Sequence, residues 1–119
     1  MEHHPTQDVA VEALPGSREG VTIIKLSGPL TMHNFFEFQS LTRKQPAPPV
    51  LLIDLTDVPY IDSAVLGSFV GVHVSCDKTG RKYALVNPNE RLKKLFAMSN
   101  LGDLFVIYSN IAEAERALS

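Results

Sequence analysis

The run Val50–Leu51–Leu52–Ile53 constrains this chain more than any other stretch. Four consecutive apolar residues leave neither face polar. Such a run fits a strand covered on both sides, as in a mainly parallel sheet with helices above and below. The chain then changes character abruptly. Asp54, Thr56 and Asp57 are polar, and Pro59 has no N–H for a strand ladder and biases Val58 towards an extended conformation. Tyr60–Ile61 and then Asp62–Ser63 lead into an apolar pattern at helical spacing. A buried strand thus delivers a short acidic loop, and the loop delivers Ser63 to a helix start. The candidate functional region lies there.

The rest of the chain alternates strand and helix signals. Asp8 to Leu14 alternates weakly and suits an edge strand; Pro15 to Gly20 reads as a turn, and Val21 to Leu26 as a second, β-branched strand. A hairpin joins the two. Gly28–Pro29 stops the strand, Thr31 or His33 opens a helix running to about Lys44, and Phe35, Phe36 and Phe38 are expected in the core. Gln45 to Pro49 forms a stiff connector. After Ser63, the residues Val65, Leu66, Phe69, Val72, His73 and Cys76 recur every three or four positions, and Gly80 closes that helix. Gly67, Gly71 and Ser75 share one face. Either that face packs closely on the sheet, or it is a surface a partner can approach. Lys82 to Val86 is a short strand. Asn87–Pro88–Asn89–Glu90 reads as a helix start with Asn87 as the cap, and Arg91, Lys93 and Lys94 as a solvated face. Leu104 to Tyr108 reads as a last strand, and Asn110 to Leu118 as a last helix with Ile111, Ala114 and Leu118 inward. This order implies α/β layering with a mostly parallel sheet.

A chain of 119 residues suits one domain with a modest core. We read residues 1–7 as a flexible N-terminal tail and 8–119 as the domain; His3–His4 lack supporting metal ligands. A net charge of −2 gives no footprint for nucleic acid or anionic lipid. Cys76 is the only cysteine, so neither an internal disulfide nor a zinc-binding cysteine cluster is expected, and a cytoplasmic setting is the simplest reading. No apolar run approaches the roughly 18 residues of a membrane helix.

Enzyme chemistry finds no support. The sequence has neither a P-loop nor a nucleophile elbow, since Ser68 of Gly67–Ser68–Phe69–Val70–Gly71 is misplaced for one. Asp54 and Asp57 lack a third acid or lysine in metal-site spacing and read as loop residues capping backbone amides. His73 reads as a packed histidine. Ten residues along one regular helix would put it about 15 Å from Ser63. Ser63 has two readings. Either it or Asp62 is the N-cap of the next helix, or it is a phosphorylation switch whose added charge, about −1.5 to −2, a helix start tolerates and a docked partner feels.

Three stretches resemble the STAS domain, and within it the bacterial anti-sigma-factor antagonists. They are Ile24 to Leu30; Ile53 to Ser63 with Leu66–Gly67; and Ala84 to Pro88 with Leu92 to Leu101. The resemblance implies a mixed β-sheet flanked by about four α-helices in a single domain. It implies a non-enzyme without cofactor that binds an anti-sigma factor with serine kinase activity. Phosphorylation at Ser63 would release that kinase, which supplies the ATP, and a serine phosphatase would reset the module. The expected partner surface comprises Asp57, Tyr60, Asp62, Ser63, Ala64 and Gly67. The chain departs from the common antagonist pattern at Ala64 and Val65, and Val65 is expected to set a branched side chain where a partner comes close. Two other readings stand beside this one: a STAS adaptor subunit of a signalling particle or lipid-transport complex without a phospho-switch, and a small-molecule enzyme.

Overall fold

A computed structural model describes residues 10–32, 35–42 and 48–118. The tail, His3–His4, His33 and residues 43–47, which include the first part of the expected connector, lie outside these. The elements are, in chain order, β1 (Ala10–Pro15), β2 (Val21–Ser27), α1 (Phe35–Thr42), β3 (Val50–Asp57), a 3₁₀ turn (Ser63–Val65), α2 (Leu66–Thr79), β4 (Lys82–Val86), α3 (Glu90–Met98), β5 (Ile107–Tyr108) and α4 (Ile111–Leu118). The sheet keeps sequence order, β1-β2-β3-β4-β5. β1 pairs antiparallel with β2 as the expected hairpin, and the other three pairings are parallel.

β3 sits in the middle, and its apolar run is covered on both faces as its composition demands. Leu51, Ile53 and Leu55 enter one core with Phe38 of α1, Phe69 and Val72 of α2, and Leu92 and Phe96 of α3. Val50 and Leu52 enter a second core with Ala84, Val86 and Ala114 of α4. Alternate side chains on a strand point to opposite faces, so one strand supplies both cores. Phe69 is the hub of the larger core, with ring centroids 5.2 Å from Phe38, 6.2 Å from Phe96 and 6.3 Å from Phe105. Cys76 is buried in the same core, and desolvation raises its thiol pKa. Among the described residues no helix is long and apolar enough to cross a membrane.

Several expectations change. β3 extends through Asp57, so Asp54 and Asp57 belong to a strand and not to a loop. The last strand is only Ile107–Tyr108, because residues 102–105 turn before it. Phe36 is exposed, Phe35 half-buried, and only Phe38 of the three is core. Asn87 does not cap α3. It sits in the left-handed region at φ 52°, two residues too early, and Asn89 is the cap, its Oδ1 accepting from the Leu92 N–H at 2.8 Å. Gly67 and Gly71 are exposed with open space where a side chain would stand, so the small-residue face is not packed on the sheet. Other expectations hold: Gly80 ends α2 at φ 71°, and Asn110 Oδ1 accepts from the Glu113 N–H.

Candidate functional site

The segment between β3 and α2 is held from three sides. At its start, Val58 is buried and its N–H donates to the Leu55 carbonyl at 3.1 Å. From α3, Asn89 Nδ2 donates to the carbonyls of Val58 at 3.3 Å and Pro59 at 3.2 Å. From the β2–α1 loop, Leu30 pairs with Ile61: the Leu30 N–H donates to the Tyr60 carbonyl, and the Asp62 N–H to the Leu30 carbonyl. Ile61 and Val65 are both buried, and Ser63–Ala64 between them is exposed. Two apolar anchors flank a two-residue tip, which gives the tip a fixed position. Val65 therefore points inward, and its branched side chain does not intrude on the surface.

The hydroxyl at the tip is not a helix cap. The 3₁₀ turn is preceded by Asp62, and α2 by Val65, and neither helix start carries a side-chain cap bond. Backbone groups serve instead: the Asp62 carbonyl accepts from the Val65 N–H, and the Ser63 carbonyl from the Leu66 N–H. Among the described residues the Ser63 hydroxyl has no hydrogen-bond partner.

The residues expected at the site divide. Tyr60, Asp62 and Ser63 line one open groove, whose far wall is Arg91, Lys94, Leu95 and Met98 of α3. The Arg91 guanidinium lies over the Tyr60 ring, 5.3 Å from its centroid, a cation–π placement. Met98 is 81% exposed. Ala64 of the tip and Gly67 beyond it are exposed without lining that groove. Asp57 stands apart, ion-paired with Lys25 at 3.2 Å, while the buried Asp54 lies 3.7 Å from the same ammonium and accepts from Thr56 N–H and Oγ1. The hydrogen bond to Asp57, then the charge of Asp54, raise the Lys25 pKa. Asp54 does cap a backbone amide as expected, and Lys25 is the partner that sequence reading missed. Sequence reading also set Arg91 and Lys94 aside as solvated. Their spacing of three puts both on one helix face, but no linear signal joins that face to the loop. His73 is packed as expected, its Nδ1 2.8 Å from the Tyr83 hydroxyl, and burial pushes that phenol up to about 12. Among the described residues no group of acids, histidines and cysteines could hold a metal ion.

Comparisons with known proteins bear on the family and the fold. The STAS domain family model matches residues 16–114. A Thermotoga neapolitana protein provisionally named an anti-sigma factor antagonist is 41% identical over 64 residues, 54% of this chain and 57% of that protein. The anti-sigma-B factor antagonist of Bacillus subtilis is 44% identical over 57 residues, 48% of this chain and 52% of that protein. These matches span little more than half the length of either relative. A Thermotoga maritima crystal structure with the same provisional name superposes with a TM-score of 0.80 at 26% identity, covering 92% of each chain. The anti-sigma factor antagonist SpoIIAA in its unphosphorylated form shares the fold, with a TM-score of 0.73 at 22% identity over 91% of this chain and 96% of that one.

Proposed function

The chain belongs to the STAS domain family, and from that premise we propose that residues 8–119 form a binding module of sigma-factor control, acting in the cytoplasm. It binds an anti-sigma factor with serine kinase activity and thereby regulates transcription. Tyr60, Asp62, Ser63, Ala64 and Gly67 around the tip make the contact, which extends to Asp57 at the end of β3. The kinase transfers the γ-phosphoryl group of ATP to Ser63: an Oγ–P bond forms, the bond to the β-phosphate breaks, ADP leaves, and the hydroxyl proton is released. The added charge then weakens docking, and a serine phosphatase restores the hydroxyl. The module itself performs no catalysis.

One observation carries this reading. Ser63 is exposed, its hydroxyl makes no hydrogen bond among the described residues, and it sits on a tip anchored by Ile61 and Val65. A capping hydroxyl would be tied up; this one is free to react, and its scaffold does not depend on it.

The test is incubation with a candidate kinase and ATP, read by intact mass. One phosphate on the wild type and none on Ser63→Ala is the expected result. Ser63→Asp should weaken kinase binding with an almost unchanged melting temperature. Kinase binding without phosphate transfer to Ser63 would overturn the switch and leave a STAS adaptor.

A further inference from the structure

Two cations face the tip across the groove, and among the described residues neither is engaged by an acid. Lys93, their neighbour on α3, is held by Glu90 at 3.3 Å. Arg91 and Lys94 form no such pair and instead line the groove opposite Ser63, with Asp62 its one carboxylate. The Tyr60 ring beneath Arg91 restrains the guanidinium, so less rotamer freedom remains to be lost when it binds an anion.

Resting on the phosphorylation reading above, we infer that Arg91 and Lys94 hold a phosphate on Ser63 within the same chain. A phosphate brings two negative charges and strong acceptor oxygens, and a guanidinium offers a planar fork of donors that matches them. Modification then does more than add charge at the tip. It spans the groove from the tip to α3 and withdraws both cations from any partner that would use them. The unmodified face presents two cations without an acidic partner and an open groove; the modified face presents the same cations neutralised by the phosphate.

The test installs phosphoserine at position 63 during translation, without a kinase, and follows the phosphorus resonance against pH at low salt. The second phosphate ionisation, about 6 when unperturbed, should fall by about half a unit or more, since nearby cations favour the dianion and solvent exposure limits the size. Asp62 opposes this shift. Arg91→Gln and Lys94→Gln should each raise the ionisation, the double variant should return it to about 6 or above, and Arg91→Lys should restore part of the shift. Both side chains are exposed, so the unmodified variants should melt within a few degrees of wild type. A wild-type value at or above 6 would overturn the inference. So would a lowered value that survives in the double variant, which would assign the phosphate to backbone amides. The kinase experiment is decided by mass and this one by the resonance, so either idea can fail while the other stands.

Discussion

The carboxylate of Glu115 on α4 closes on Ser17, 98 positions earlier, accepting from its N–H and its hydroxyl, each at 2.8 Å. The Arg18 N–H adds a third bond at 3.3 Å. Glu115 is buried at the sheet's second face, and it ties the β1–β2 turn to the final helix. These bonds, the Ser17 hydroxyl first, hold its pKa below 4.5. A carboxyl with a lowered folded pKa stabilises the fold above its unfolded value, and that stability is lost as pH falls through the folded value. Glu115→Ala should cost about 1–3 kcal/mol in urea denaturation at neutral pH, the range for hydrogen bonds to a buried charged group. Glu115→Gln should flatten the decline in melting temperature that wild type shows as pH drops below about 4.5.

Asn89 does two jobs with one amide, capping α3 through Oδ1 and holding the Val58 and Pro59 carbonyls through Nδ2. Asn89→Ala should lose about 1–2 kcal/mol. Asn89→Asp retains the cap acceptor but turns a carboxylate towards two carbonyls. It should keep the helix and speed amide hydrogen exchange at Tyr60 to Asp62. Unchanged exchange in that variant would show that the tether is idle.

Ser63→Ala should change unfolding free energy by no more than about 0.5 kcal/mol, the range for a surface substitution without a special role. The hydroxyl caps nothing, and both adjoining anchors are apolar. A loss of about 1 kcal/mol would instead be the mark of an N-cap.

Gly71 lies inside α2 with open space at its missing side chain. Gly71→Ala should therefore raise stability by about 0.5–1 kcal/mol, since alanine has less freedom to lose on folding. If the outer face of α2 continues the docking surface, Gly71→Arg should weaken kinase binding while keeping the fold. Titration calorimetry against the kinase checks this.

Patterns held within one element were legible. The two-faced apolarity of Val50–Ile53 called for a central covered strand, and Gly80 and Asn110 marked helix ends that the structure keeps. What failed were details set by neighbours. Asn87 and Asn89 are the same residue type two positions apart, and the choice between them depends on which backbone turns left-handed. Gly67 and Gly71 announce a small face but not its direction. The tip was found because strand, loop, serine and helix lie in sequence. Its opposing wall is not legible there because Arg91 and Lys94 come from another element and share a groove with Ser63 only after the chain has folded around β3.

The seclusion of Cys76 has a practical corollary. The chain's one sulfhydryl lies in the interior with its pKa raised, so a thiol-specific dye offered to the folded protein has no native target. A cysteine substituted for Met98, on the rim of the groove, would become a unique attachment point for a fluorophore, and occupancy of that rim could be watched by emission without first replacing the native cysteine.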